Sequence, residues 1–316
     1  MITAIQKIKS PFNSVYYVFI SAFLFSVHDV IIKWISGKYP VHEVVFIRSC
    51  IAIIPILMIA HWNGGLNSLK TKCYSGHIIR SLLMFGSYIS YYLSLSALPM
   101  AVTISLFFSC PIFITILSVL FLKEKVEAAS WIAVVAGFIG VVVMLKPGSE
   151  IADPAAFLAI LSALLYAMGS VMTIDLGKTE SGLSLVFYLM VVYIVCSTIL
   201  AFGLSNFNLG ISSHPSQAFF FRAWQLPENG DLLLFLSIGL ISAVSIYCMI
   251  QAYRLELPSK VAPFEYISVL LAVCWGYFFW KDVLDPQSII GIILIIGSGL
   301  YILYGKRASK IIKVSV

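Results

Sequence analysis

Residues 100–122, MAVTISLFFSCPIFITILSVLFL, carry no charged side chain, and runs of this kind recur along the whole chain. A helix of that length rises about 1.5 Å per residue, enough to cross roughly 30 Å of hydrocarbon. In hydrocarbon every backbone N–H and C=O needs a partner inside the structure, and apolar runs this long and continuous meet that need as helices rather than barrel strands. Composition agrees: 60% of residues are hydrophobic and 11% charged, with a mean hydropathy of +1.00. That is more apolar surface than a soluble core can use. The expected fold class is an all-α membrane protein.

Ten transmembrane helices are expected, at about 14–36, 42–61, 76–97, 100–122, 129–146, 154–175, 181–203, 231–253, 257–280 and 286–305. Turn chemistry separates them: Gly37-Lys38-Tyr39-Pro40, Asn63-Gly64-Gly65, Leu98-Pro99, Lys146-Pro147-Gly148, Asp153-Pro154, Leu257-Pro258 and Asp285-Pro286. The first span is too long for a cleaved leader and carries Asp29 and Lys33 near its middle, so it is expected to stay in the mature protein.

The spans repeat. Tyr88, Leu98-Pro99, Val102 and Ser109 return as Tyr247, Leu257-Pro258, Val261 and Ser268, a shift of about 159 positions. Upstream, Ser21-Ala22-Phe23-Leu24-Phe25 resembles Ser162-Ala163-Leu164-Leu165-Tyr166 at a shift of about 140. The two matches keep the same order, which implies a first repeat over 14–146 and a second over 154–305, with an external loop at about 204–230.

The net charge of +6 is read as a topology signal and not as a nucleic-acid footprint. With the N-terminus inside, most basic residues fall on cytoplasmic segments, among them Lys7, Lys9, Lys70, Lys72, Lys178 and Arg307. The outside loops hold Lys38, Lys146, Arg222 and Lys281. Both termini are therefore expected to be cytoplasmic. Five spans per repeat is an odd number, so the second repeat enters from the opposite side, the inverted arrangement that serves alternating access. The six cysteines lack metal-ligand spacing and read as small packing residues. In the external loop, Phe219-Phe220-Phe221, Arg222 and Trp224 could lie along the membrane interface or cap the outer mouth, and their composition favours the interface.

Ionisable residues inside spans are costly and become the functional candidates. Asp29 and Lys33 stand four apart, and could pair with each other or share a substrate. His28 is expected to point elsewhere and to pack. Glu43 should reach water at the outer entrance, whereas Arg48 lies about 9 Å into its span and has no such excuse. Arg80 and Lys260 are near enough to span ends to snorkel. Glu265 is about 12 Å from its span's start, and its counterpart in the first repeat is Leu106, so the fold's symmetry does not require the charge.

Among the many aromatics the repeat selects a few. Tyr88 and Tyr92 stand four apart on the third span, and their counterparts Tyr247 and Gln251 stand four apart on the eighth. These four could ring one cavity, or the tyrosines could simply pack between helices or sit in an interface belt. Tyr266 and Tyr166, counterparts of Phe107 and Phe25, could add walls, and Ser105, Phe108 and Ser109 share a face that lines the same space or lets helices approach. Metalloprotease, nucleophile-elbow, phosphate-loop and dinucleotide motifs are all absent, which argues against an enzyme.

Phe121-Leu122-Lys123-Glu124-Lys125, then Gly137-Phe138-Ile139-Gly140-Val141 running to Leu145-Lys146-Pro147-Gly148, resemble the EamA repeats of the drug/metabolite transporter superfamily. The second copy keeps Trp280-Lys281-Asp282, Gly291 and Gly297. Within that superfamily, residues 28–33 and 41–48 resemble the opening of bacterial carriers of S-adenosylmethionine or riboflavin, and related openings occur in carriers of amino acids and amines. The resemblance implies a secondary transporter of the bacterial cytoplasmic membrane, without a cofactor, moving a small polar or zwitterionic metabolite by alternating access. A riboflavin importer or a metabolite exporter is the alternative; a lipid-acting enzyme or a channel fits less well. Tyr88, Tyr92, Tyr247, Gln251 and Tyr266 would stack on and bond the substrate, while Asp29, Arg48 and Glu265 would read its charge. A carboxylate at that depth could carry a coupling proton. Monomer and homodimer are both compatible with the sequence, since the Gly137 and Gly140 face could pack within the bundle or between chains.

Overall fold

The computed structural model describes residues 11–62, 65–122, 128–145, 153–177, 179–205, 214–255 and 265–314. Those residues are helical, with short turns between. The helices are α1 (Pro11–Ile35), α2 (Val41–Trp62), α3 (Tyr74–Ala97), α4 (Met100–Phe107), α5 (Cys110–Leu122), α6 (Ala128–Leu145), α7 (Ala155–Leu176), α8 (Gly182–Ser205), α9 (Pro215–Phe221), α10 (Leu232–Leu255), α11 (Ile267–Trp275) and α12 (Pro286–Val314). Both Asp-Pro turns are helix starts. Asp153 accepts the Ala155 N–H at 2.7 Å, and Asp285 accepts the Ser288 N–H at 3.2 Å, so each aspartate caps the helix that its proline begins.

Among the described residues, six apolar stretches are long enough to cross a membrane: Tyr16–Ile35, Val41–Trp62, Met100–Phe121, Ala155–Thr173, Gly182–Leu204 and Leu232–Met249. Shorter apolar helices cover Trp131–Met144, Ile267–Trp280 and Pro286–Ser298. The exposed side chains show the same thing from outside. On α6, Ile132, Val135, Ile139 and Val142 recur at helical spacing and are all exposed, while Ala133, Val134, Val141 and Met144 face inward. The molecule is a multi-pass membrane bundle. The helix α3, which covers the expected third span but is not among these apolar stretches, is polar: it buries Arg80, Ser81, Ser87, Ser90, Tyr92 and Ser94, so its hydroxyl face looks into the protein.

The residues read as one fourth span form two helices. Pro111 has no N–H to give the Phe107 carbonyl and its ring crowds that carbonyl, so α4 ends at Phe107 and α5 begins at Cys110. The turn is closed by the Phe108 N–H to Ile104 O at 2.9 Å and by the Ser109 hydroxyl to Leu106 O at 2.7 Å. In the second half, a turn at Tyr266 precedes α11.

Packing pairs α1 with α10, α3 with α7, α2 with α8 and α6 with α12. The Ser21 hydroxyl on α1 donates to the Ser245 carbonyl on α10 at 2.9 Å, and the Ser87 hydroxyl on α3 donates to the Ser162 carbonyl on α7, also at 2.9 Å. Gly137 lies against Ile112 and Ser298, and Gly140 meets the Gly291 backbone on α12, so the glycine face packs inside the bundle.

The segment from α9 to Asp231 caps one end of the molecule and does not form the interfacial helix favoured by its composition. Phe219 is fully buried in the main core, and the Ser216 hydroxyl donates to the Leu93 carbonyl at 2.6 Å. Trp224 rests between His42 and Phe46, at ring separations of 5.8 and 5.2 Å. Beneath it Glu43 is fully buried and accepts the Gln225 N–H at 3.1 Å, so it does not reach water.

Candidate functional site

The buried polar groups gather where α1, α2, α3 and α8 meet. Arg48 of α2 is 2% exposed, and its Nη1 donates to the Tyr92 hydroxyl at 2.6 Å. Its guanidinium lies 4.8 Å from the ring centre of Tyr88, 5.8 Å from Tyr92 and 5.7 Å from Tyr193 of α8. Three aromatic faces around one desolvated cation contribute about 2 kcal/mol or more where the geometry is good. No carboxylate is within 4 Å of Arg48 among the described residues.

Asp29 of α1 sits on the other side of Tyr92. It accepts the Tyr91 hydroxyl at 2.7 Å and lies 3.1 Å from Nδ1 of His28. His28 is therefore part of the site, and its ring is 6.1 Å from Tyr92. Asp29 and Lys33 do not serve each other: the Lys33 ammonium donates to the Leu98 carbonyl at the α3–α4 turn and lies 5.3 Å from the Trp280 ring.

A second group surrounds the α4–α5 break. The Phe107 ring is 5.3 Å from both Tyr91 and Tyr166, and the Phe108 ring is 4.8 Å from Tyr266. Glu265 is half-buried, within electrostatic reach of Tyr266, Tyr166 and Cys110. Rings at about van der Waals separation thus run from Tyr88 and Tyr92 through Tyr91 and Phe107 to Tyr166. Along this path Arg48 Nε, Ser105 Oγ and the Tyr193 and Tyr266 hydroxyls are buried without a hydrogen-bonding partner in the protein. Buried polar atoms are nearly always paired, and the other unpaired ones, among them His42 Nδ1, Ser49 Oγ, Ser81 Oγ and Ser197 Oγ, lie elsewhere in the bundle, so these four make the path a candidate site.

Of the residues chosen from the sequence, Asp29, Arg48, Tyr88 and Tyr92 come together, and Tyr266, Tyr166, Ser105 and Glu265 lie around the α4–α5 break. Tyr247 does not join them: it is 44% exposed, in an exposed stripe with Leu233, Leu236, Leu240 and Val244. Gln251 is on the same helix, but its side chain is outside the described residues, as is Lys260. Sequence reasoning missed Tyr91 and Tyr193. It expected Arg80 to snorkel, whereas Arg80 is 7% exposed and bonds Thr173 and the Leu185 carbonyl inside the bundle.

A multi-pass helical bundle whose polar groups converge on its interior, with apolar bands outside, is the architecture of a membrane transporter. The chain belongs to the EamA-like transporter family, whose model matches residues 13–146 and 153–304. Family membership places it among transporters and not enzymes. It is 28% identical over 285 residues to the S-adenosylmethionine uptake transporter of Rickettsia conorii, with 89% of each chain covered. It is 25% identical to the riboflavin transporter of Vibrio cholerae, over 92% of this chain and 93% of that one, and 26% identical to the pseudopaline exporter CntI of Pseudomonas aeruginosa, over 88% and 91%. A solved crystal structure with 15% identity shares the fold at a TM-score of 0.62, covering 93% of this chain and 98% of its own.

Proposed function

We propose that the protein is a secondary transporter of the bacterial inner membrane for a small zwitterionic metabolite carrying an aromatic ring, with S-adenosylmethionine as the foremost candidate. The observation that carries this reading is Arg48: a buried guanidinium with no carboxylate within 4 Å among the described residues, an unpaired Nε and three tyrosine faces around it. A substrate carboxylate would supply the missing counter-charge by a charge-assisted bond. Asp29 lies one tyrosine away, placed for an ammonium or sulfonium, and the rings of Tyr88, Tyr91 and Phe107 offer faces for a purine. Riboflavin would stack on the same rings but brings no carboxylate to Arg48, which is why the zwitterion is preferred.

Alternating access fits a chain of ten spans in two inverted halves with both termini in the cytoplasm. The α1–α10 and α3–α7 pairs support it, since a shift of five spans turns one pair into the other. Ser21 and its counterpart Ser162 both stand at these contacts, the first donating to the Ser245 carbonyl and the second accepting from Ser87 at its own carbonyl. A coupling proton would ride on Asp29 or Glu265.

The test is thermal unfolding of the purified protein with S-adenosylmethionine, riboflavin, amino acids and polyamines, because a ligand bound only by the folded state raises the midpoint by mass action. Stabilisation by S-adenosylmethionine is expected, and Arg48→Gln should abolish it. Arg48→Lys should not restore it, because an ammonium cannot stack flat between rings and bind a carboxylate bidentately. Stabilisation that survives Arg48→Gln would remove Arg48 from the site.

A further inference from the structure

Arg80 is a second buried guanidinium with no carboxylate partner among the described residues, although its Nε, unlike that of Arg48, is bonded. It stands six residues into α3, about 9 Å from that helix's start. Its Nε donates to the Thr173 hydroxyl on α7, and its Nη1 donates to the Leu185 carbonyl on α8 at 3.2 Å. Both partners are neutral, and no carboxylate lies within 4 Å among the described residues. A glutamine could bridge the same three helices with no buried charge, so the bridging alone does not account for a guanidinium.

Tyr193 of α8 is near Arg48 and within electrostatic reach of Arg80. It is fully buried, its ring is 5.7 Å from the Arg48 guanidinium, and its hydroxyl has no partner in the protein. Electrostatically it is coupled to both Arg48 and Arg80. With Phe85 at 5.5 Å and Tyr88 at 5.6 Å, it forms an aromatic layer across the bundle. Tyr88, whose ring Arg48 faces at 4.8 Å, is eight residues beyond Arg80 on α3, about 12 Å of helical rise between the two backbone positions. Beyond Arg80, one turn back, His77 lies 3.3 Å from Glu180, the carboxylate that closes this end of the molecule.

We propose that Arg80 is a second station for the anionic group of the transported molecule, across the Tyr193–Phe85–Tyr88 layer from Arg48. The inference rests on the transporter reading of the Arg48 site. A carboxylate leaving Arg48 crosses the layer with the Tyr193 hydroxyl as an intermediate donor and is received by Arg80. There it meets Glu180, whose like charge favours its release. No bond is made or broken, and the substrate's carboxylate exchanges one guanidinium for another.

The test uses the full-length protein in detergent and in proteoliposomes, with S-adenosylmethionine and its decarboxylated analogue as probes. Arg80→Gln is expected to keep the thermal stabilisation by S-adenosylmethionine, because Arg48 is intact. It should slow S-adenosylmethionine counterflow by about tenfold or more while leaving the analogue's flux unchanged. Arg80→Lys, which keeps the charge but weakens the bridge, should restore most of the flux and guards against a folding defect in the glutamine variant. Equal slowing of both probes by Arg80→Gln, or no slowing of either, overturns the station and leaves Arg80 as a bridge between helices. Loss of the station alone would leave the Arg48-dependent stabilisation standing. Failure of the whole reading would show instead as no stabilisation of the unmodified protein by any compound.

Discussion

Tyr91 and Tyr92 are neighbours in sequence and divide the two buried charges between them, Tyr91 bonding Asp29 and Tyr92 receiving a bond from Arg48. Hydrogen bonds to charged groups contribute about 1.5–3 kcal/mol each. Tyr91→Phe should therefore lower the unfolding free energy by about that much, but should cost little in an Asp29→Asn background. Equal cost in both backgrounds, measured by chemical denaturation of the purified protein, would show that hydroxyl and carboxylate do not interact. Asp29 and Arg48 were legible in the sequence because burying a charge in a membrane is expensive wherever it happens. Tyr91 and Tyr193 were not. A stripe four residues apart describes a helix with one working face, whereas α3 is enclosed by α1, α7 and α8 and uses several. Tyr193 matches an isoleucine, Ile53, at the shift relating the first two spans of each repeat, so the duplication gave no hint of it. The same duplication overreached at Tyr247, where the matching position on α10 faces outward.

At the scale of elements, two close contacts decide how the helices meet. A Cβ added to Gly140 would lie 3.0 Å from the Gly291 carbonyl, and one added to Gly291 would lie 2.9 Å from the Gly140 carbonyl. The Met144 side chain, which a Cβ added to Gly291 would also meet, could move aside, but the two backbone carbonyls could not. Gly291→Val should force α12 away from α6 and destabilise the protein by about 1–3 kcal/mol. Gly297→Ala on the same helix, where an added Cβ meets nothing within 4 Å, should leave the melting temperature nearly unchanged. A similar fall for both would mean that the α6–α12 contact does not set the effect, since helix propensity favours either substitution over glycine. The apolar runs and most turn positions were legible because the bilayer imposes length and the turns use proline and glycine. The α4–α5 break was not, although Pro111 was its signal: the proline lies within an apolar run long enough for one span, and the run was read whole.

At the scale of the whole molecule, each end of the bundle is held by a polar latch. At one end Lys38 pairs with Asp231 at 2.8 Å and Glu228 at 2.7 Å, and the Tyr39 hydroxyl donates to Asp231 at 2.7 Å. At the other, beyond the far end of α2, the Thr71 hydroxyl donates to Glu180 at 2.7 Å, with His77 beside it. In the proposed repeat these latches correspond, each joining the turn after a half's first span to the segment before the third span of the other half. The Lys38 and Tyr39 bonds hold the Asp231 carboxyl below the usual carboxylate range, and Asp231 with Glu228 pushes the Lys38 ammonium up. Because the carboxyl is depressed in the folded state, its contribution is full above the ordinary aspartate value of about 3.9 and is lost as pH falls through the lower folded value. The raised ammonium contributes fully below about 10.4 and is lost only as pH rises beyond that, so this latch holds through neutrality and opens in acid. Glu180 is depressed by Thr71 and then His77, and follows the same acid rule. If access alternates, the two latches compete, and weakening one must stabilise the closure of the other. Cys73, whose N–H donates to the Thr71 hydroxyl at 2.9 Å, is a native reporter beside the second latch. With the other cysteines replaced, Glu180→Gln should speed labelling of Cys73 by a thiol reagent and Asp231→Asn should slow it. Changes in the same direction would mean that the two ends open independently, and the bundle would then not be a two-state device.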